Sequence, residues 1–136
     1  MNELFAALYE GFHPLDLFYI TGFSDEMFNS GIYVTIGLIM LLTSLGLESI
    51  YYYCLSSFGN FYKKVYWLIW LALIGLLNFC VAYYYSSSTM EYLGFEYGFT
   101  QYFSFSIVNV LWATIFSFTF SIILKLKSIK GSRTPF

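Results

Sequence analysis

Three long runs of apolar residues, separated by short polar segments, dominate the pattern along this chain. They cover about residues 32–51, 66–85 and 103–124. Each holds roughly 20 residues, and at about 1.5 Å per residue such a helix matches the roughly 30 Å hydrocarbon layer of a membrane. In lipid the backbone polar groups must be satisfied within each segment, so the pattern predicts helices. The expected fold class is an all-α integral membrane protein with three transmembrane helices.

The segment before the first run is too interrupted to span a membrane and too apolar for a solvated tail. The pattern in its first part predicts a short helix that has Leu4, Phe5 and Leu8 on one face and ends before Gly11. Further along, Ser24–Glu26 resembles the start of a second helix. One interpretation is an interfacial helical segment that lies on its own bundle. The alternative is a docking element for another subunit, because amphipathic membrane anchors usually present Lys and Arg whereas this segment is acidic.

Charge is sorted between the connecting segments. All six basic residues follow the first and third runs, namely Lys63, Lys64, Lys125, Lys127, Lys130 and Arg133. Seven of the eight acidic residues fall in the other exposed segments, namely Glu3, Glu10, Asp16, Asp25, Glu26, Glu91 and Glu96. Short segments rich in Lys and Arg stay in the cytoplasm. The sequence therefore predicts an outer N-terminus, a cytoplasmic C-terminus and a bacterial inner (plasma) membrane, with the mitochondrial inner membrane as an alternative.

Composition supports a membrane protein and leaves no room for a soluble domain. Hydrophobic residues make up 59% of the 136 residues and charged residues 10%, whereas charged residues are about a quarter of a soluble domain. Mean hydropathy is +0.67. We expect one membrane domain over 1–136, with an outer interfacial segment (1–31), a three-helix bundle (32–124) and a basic cytoplasmic tail (125–136).

Polar residues inside the runs predict where the helices meet. Asn78, Asn109 and Gly37 fall at similar depths, and an amide in hydrocarbon needs a partner, so we expect the two amides to hydrogen-bond each other or a neighbouring helix. Small residues recur on one face of the third helix. The predicted helix–helix interface comprises Gly37, Asn78, Ser106, Asn109, Ala113, Ser117 and Ser121. The alternative is a polar lining for a pore or a ligand.

Glu48 is the only acidic residue within an apolar run. It lies about one turn from the predicted cytoplasmic end, where a carboxylate could reach the interface. We expect a boundary ion pair with Lys63 or Lys125. The alternative is a relay for protons or ions, because ionisable residues within membranes are often functional.

Aromatic residues between acids and glycines mark a second candidate docking element in the outer loop, Glu91–Phe99. Trp112 is unusual because it falls near mid-membrane, where another subunit could accept its indole N–H. With the N-terminal segment, the residues predicted to dock a partner are Leu4, Phe5, Leu8, Phe12, Phe18, Tyr92, Phe95, Tyr97, Phe99 and Trp112.

Catalytic chemistry finds little support. His13 is the only histidine, and Cys54 and Cys80 fall at different depths, so the sequence predicts neither a catalytic triad nor a disulfide. We expect that the protein is not an enzyme and that it binds no cofactor, metal, nucleic acid or small-molecule substrate. Its expected partners are other membrane subunits and the lipid bilayer. The expected function is an accessory, scaffold or anchor subunit of a larger membrane assembly, such as a secretion or injection machine or a respiratory-type complex. The alternative is a self-associating pore or channel, holin-like or a defence effector.

Overall fold

The computed structural model describes residues 1–11, 19–55 and 63–127, without the side chains of 126 and 127. Within these ranges the chain forms five helices and no strand. The helices are α1 (Asn2–Glu10), α2 (Phe23–Asn29), α3 (Ile32–Tyr53), α4 (Lys64–Tyr92) and α5 (Phe99–Lys127). Phe12, Phe18, the loop at 56–62 and the tail at 128–136 lie outside the described residues.

Three helices of the described chain are long and apolar enough to cross a membrane, namely Ile32–Tyr53, Lys64–Tyr92 and Phe99–Lys125. Large aliphatic side chains remain exposed along all three, such as Leu42, Leu76 and Ile107. Contiguous exposed apolar surface of this kind is unfavourable in water and suits a lipid environment. The described part of the chain is therefore all-helical and has the features of a multi-pass membrane protein.

The second and third long helices extend further than the hydropathy pattern predicted. α4 continues through the serines that follow residue 85 and ends at Tyr92, two residues before Gly94, whose φ of +84° suits a residue without a Cβ. The Phe95 N–H bonds to the Met90 carbonyl and the Gly94 N–H bonds to the Glu91 carbonyl, which is a Schellman C-cap. The outer loop, which the apolar runs predict between residues 85 and 103, is therefore only a tight connection at residues 93–98.

α3 and α5 run parallel and contact each other directly, and α4 runs antiparallel to both. The rings of Tyr33 and Phe105 lie 5.8 Å apart near the start of α3 and α5, and Tyr52 meets Ser121 near their ends. One end of the bundle holds Lys63, Lys64 and Lys125, and we call it the basic end. The opposite end holds α1, α2 and the α4–α5 connection, and we call it the acidic end.

α1 packs beside the bundle at the acidic end. Its Phe5, Leu8 and Tyr9 are buried against the neighbouring helices. The Asn2 side-chain amide donates a 2.8 Å hydrogen bond to the carbonyl of Phe28, which joins α1 to the end of α2. Helix α2 in turn packs against the α4–α5 connection, because the Phe23 ring lies 5.0 Å from that of Tyr97.

Candidate functional site: a buried polar column

Buried polar side chains form a column through the interior of the three long helices. They fall into three groups along the bundle, which we call the amide layer, the Glu48 layer and the Ser121 layer. The amide layer contains Tyr9, Thr43, Asn78 and Asn109; the Glu48 layer contains Ser44, Glu48 and Ser117; the Ser121 layer contains Tyr52, Trp67 and Ser121.

The amide layer, towards the acidic end, joins four helices through hydrogen bonds. The Asn109 side-chain amide donates to the backbone carbonyl of Asn78 at 3.0 Å. The Asn78 side chain donates to the Ile74 carbonyl of its own helix, and its Oδ1 accepts a 3.1 Å bond from the Thr43 hydroxyl. Both amides are at most 1% exposed. The two asparagines therefore meet through side chain and main chain rather than amide to amide.

Tyr9 brings α1 into this layer. Its hydroxyl donates a 2.8 Å hydrogen bond to Oδ1 of Asn109, and its ring stacks on Tyr33 at 5.4 Å. Burial, helped by the neighbouring Tyr33, raises the pKa of Tyr9 above its ordinary value, so the phenol keeps its proton and remains a donor. A side chain 100 positions away in sequence thus satisfies the remaining acceptor of the Asn109 amide.

Gly37 lies directly beneath α1. A Cβ placed at this position would overlap the Phe5 ring, so the close approach of α1 to α3 requires a residue without a side chain. Phe5 is 4% exposed. Gly37 therefore contacts the N-terminal helix and supports its position on the bundle.

The Ser121 layer, towards the basic end, is also hydrogen-bonded. Ser121 Oγ pairs with the Tyr52 hydroxyl and accepts a 3.1 Å bond from the Trp67 indole N–H. Trp70 donates its own N–H to the Leu47 carbonyl at 3.1 Å. The side chains of α3, α4 and α5 are thus cross-linked on this side of the bundle. Among the other small residues of α5, Ser106 is buried and bonds its own helix, and Ala113 is buried.

Between these two layers lies Glu48, and the ion pair predicted for it is not formed. The residue is wholly buried, and neither carboxylate oxygen has a hydrogen-bond partner among the described residues. Lys63 is exposed where α4 begins, and Lys125 is partly exposed near the end of α5. The prediction considered only the distance of Glu48 from the end of α3. The face of α3 that carries Glu48 points to the interior of the bundle.

The residues predicted to dock a partner divide into covered and exposed groups. Phe5 and Leu8 are covered by the chain's own helices, so they are not free to contact a partner in this arrangement. Phe95 and Tyr97 are half-buried against the core. Leu4, Tyr92 and Phe99 remain exposed, at 64%, 89% and 65%.

Trp112 packs against Phe116, with ring centroids 6.1 Å apart. Its indole nitrogen is covered but has no hydrogen-bond partner within the described part of the chain. No acceptor for this N–H is therefore supplied by the described residues.

A cleft of about 480 Å³ opens between α1 and α2 at the acidic end, with Glu3, Glu10 and Asp25 in its lining. The Tyr19 hydroxyl donates to Oδ1 of Asp25 at 3.4 Å, and the Asp25 charge is the main cause that raises the pKa of Tyr19. Burial also raises the pKa of the Glu10 carboxyl above its ordinary 4.5, while the nearby Tyr33 hydroxyl opposes that shift. The cleft therefore favours a positively charged group.

Several residues of the column escaped the sequence analysis. Tyr9, Thr43 and Ser44 have no distinguishing motif, although Ser44, Glu48 and Tyr52 recur every four residues on one face of α3. That spacing is the signal that could have placed Glu48 in the interior. Tyr9 had no such signal, because its partner lies on a helix at the far end of the sequence.

Comparison with known protein families, with curated proteins and with solved structures found no match to this chain.

Proposed function

We propose that the protein is a non-catalytic accessory or scaffold subunit of a larger membrane assembly, and that it binds its partner through the acidic end. The observation that supports this function is the surface composition there. Leu4, Tyr92 and Phe99 are exposed beside six carboxylates, those of Glu3, Glu10, Asp25, Glu26, Glu91 and Glu96. Within the described residues, this end has no lysine or arginine.

The chemistry of this surface favours a particular kind of partner. Exposed rings and a leucine beside carboxylates that have no Lys or Arg nearby among the described residues match a segment that presents Lys or Arg next to aliphatic side chains. A single Lys or Arg side chain of the partner would fit the cleft between α1 and α2, where Glu3, Glu10 and Asp25 surround it. We further propose that the acidic end faces the outer compartment, because the lysines cluster at the opposite end.

The pore-forming alternative receives less support from the geometry. Its expected lining came from Ser106, Asn109, Ser117, Ser121 and Asn78, and each of these is at most 1% exposed within a single copy of the chain. A pore between copies would require those side chains to leave contacts such as the one between Ser121 and Tyr52. The surface between copies would otherwise be aliphatic.

Site-specific photo-crosslinking in native membranes tests the proposed interface. A photoreactive residue at Tyr92 is expected to form one discrete adduct with a different protein, and the adduct is expected to disappear when Glu91 and Glu96 are both changed to Lys. A matched probe at Leu76, which is 60% exposed on the side of α4, reports non-specific contacts. Adducts only between copies of this chain, or equal adducts at both positions, would contradict the proposal.

Cysteine labelling tests the orientation. Cys54 and Cys80 are free and exposed, so both are first changed to Ala. A membrane-impermeant maleimide added to intact cells is expected to label Tyr92→Cys and not Lys63→Cys. Labelling of Lys63→Cys alone would reverse the proposed topology.

A further inference from the structure

The Glu48 layer is a cluster of four buried oxygen atoms that have no partner among the described residues. Ser44, Glu48 and Ser117 are each 0% exposed. The oxygens are both carboxylate oxygens of Glu48 and the hydroxyl oxygens of Ser44 and Ser117. Because buried polar atoms nearly always have a partner, four such atoms in one layer point to a bound species.

The two serines differ from the other buried serines of the long helices. Ser86 and Ser106 each donate to the carbonyl four residues earlier, and Ser121 is bonded to Tyr52 and Trp67. A serine within a helix can always turn its hydroxyl back to that carbonyl. The hydroxyls of Ser44 and Ser117 do not, and they are the two that lie on either side of Glu48.

The helix register brings these residues to within about one helical turn of one another. Ser121 contacts Tyr52, and α3 and α5 run parallel. One helical turn earlier on each helix are Ser117 and Glu48, and one turn earlier again on α3 is Ser44. All three side chains are buried, so they face the interior of the bundle, where α3 and α5 pack against each other.

We propose that Glu48, Ser44 and Ser117 bind a small monovalent cation such as Na⁺ in the interior of the bundle. Carboxylate and hydroxyl oxygens are suitable ligands for a hard cation, and one positive charge balances the single carboxylate. An unpaired carboxylate in this setting would be costly, and no lysine of the described chain reaches it. A divalent ion would leave an uncompensated positive charge.

A proton would neutralise Glu48 but would not account for the rest of the layer. A protonated carboxyl is a hydrogen-bond donor and requires an acceptor within hydrogen-bond distance. No such bond joins Glu48 to either serine or to any other described residue. A cation instead is bound by oxygens that are not hydrogen-bonded to one another, and none of the four oxygens of this layer has a hydrogen-bond partner among the described residues.

Thermal unfolding in mild detergent tests the site. The protein is compared in NaCl, KCl, LiCl and choline chloride at equal ionic strength, so that only the cation changes. A cation that binds the native state stabilises it in proportion to the logarithm of its concentration above Kd. We expect the unfolding midpoint to rise with the logarithm of the Na⁺ concentration, relative to choline at equal ionic strength, and no such rise for Glu48→Gln.

Two further variants keep the proposal testable if Glu48→Gln fails to fold. Ser44→Ala and Ser117→Ala keep the charge, and each is expected to raise about tenfold the Na⁺ concentration at which the midpoint begins to rise, as the loss of one ligand worth about 1.4 kcal/mol would. Glu91→Gln, an exposed carboxylate at the acidic end, is the control and should leave that concentration unchanged.

Two outcomes would overturn the site. One is an identical midpoint in choline and in every alkali cation across the concentration range. The other is stabilisation by acid alone, equal in sodium and in choline, which would assign a proton to Glu48 instead.

Discussion

Changing Tyr9 to Phe removes the one hydroxyl that joins α1 to the amide layer. That hydroxyl donates a 2.8 Å hydrogen bond to Oδ1 of Asn109 in a site where both residues are wholly buried. The ring contacts, 5.4 Å to Tyr33 and 5.0 Å to Phe105, do not depend on the hydroxyl. The substitution therefore isolates the hydrogen bond from the packing.

The magnitude follows from two contributions. A side-chain hydrogen bond between membrane helices averages about 0.6 kcal/mol and reaches about 1.7. Removing one partner also leaves the Asn109 acceptor buried without a donor, which costs about 1–3 kcal/mol where water cannot reach it. We expect Tyr9→Phe to lower the free energy of unfolding by about 1–2 kcal/mol, within the range of these two terms.

Titration with a denaturing detergent in mixed micelles, followed by tryptophan fluorescence, measures that free energy. Tyr92→Phe is the matched control because Tyr92 is 89% exposed, and it should change stability by less than about 0.5 kcal/mol. Hydrogen exchange should show faster exchange confined to α1 in Tyr9→Phe. A double-mutant cycle with Asn109→Leu is expected to give a coupling energy of about 1 kcal/mol.

A result of equal stability for Tyr9→Phe and the unaltered protein, with unchanged exchange in α1, would refute this reasoning. It would mean that the Tyr9–Asn109 bond contributes nothing to the position of α1. A coupling energy near zero would separately show that the two side chains act independently.

Two other substitutions probe the same helix. Gly37→Val would force a side chain into the Phe5 ring and should destabilise the protein by about 1–3 kcal/mol. Hydrogen exchange of the α1 amides should then become faster. Gly46→Val is the control, because no atom lies within 4 Å of a Cβ at that position, and it should leave exchange in α1 unchanged. Glu10→Gln should stabilise the protein at neutral pH. The raised pKa means that the native state binds the proton more tightly than the unfolded state does, so ionisation of Glu10 as pH rises above 4.5 lowers the free energy of unfolding. The difference in that free energy between the variant and the unaltered protein should therefore vanish below pH 4.5. Equal pH profiles for the two proteins would contradict this sign.

The long helices could be predicted from the sequence because lipid leaves an apolar segment no other way to satisfy its backbone. Their ends could not, since hydropathy reports the hydrocarbon layer and not the length of the helix. Residues 86–92 are polar enough to leave that layer, yet they remain helical and α4 ends only at Tyr92. The hydroxyls of Ser86 and Ser87 bond carbonyls within the helix and so permit this extension.

The candidate site was predictable in part. Depth along a helix follows from counting residues, and it placed Asn78 and Asn109 at one level, where a bond joins them. The direction in which a side chain points around the helix depends on which faces pack, and counting residues does not give it. Counting from the helix end therefore predicted a boundary position for Glu48, whereas its side chain is buried inside the bundle. Tyr9 belongs to a separate helix that packs on the bundle, a long-range contact that no local pattern in the sequence encodes.

The two proposed sites should act independently, because they lie at opposite ends of α3. Glu48 follows Ile32 by sixteen residues, or about 24 Å of helix. Substitutions separated by more than about 10 Å without shared partners have nearly additive effects. The double change of Glu91 and Glu96 to Lys should therefore abolish the partner adduct and leave the Na⁺ dependence of unfolding unaltered, whereas Ser117→Ala should do the reverse. If the loss of either site weakened the other, the hydrogen-bonded amide layer between them would have to transmit the change, and Tyr9→Phe would then be expected to uncouple them.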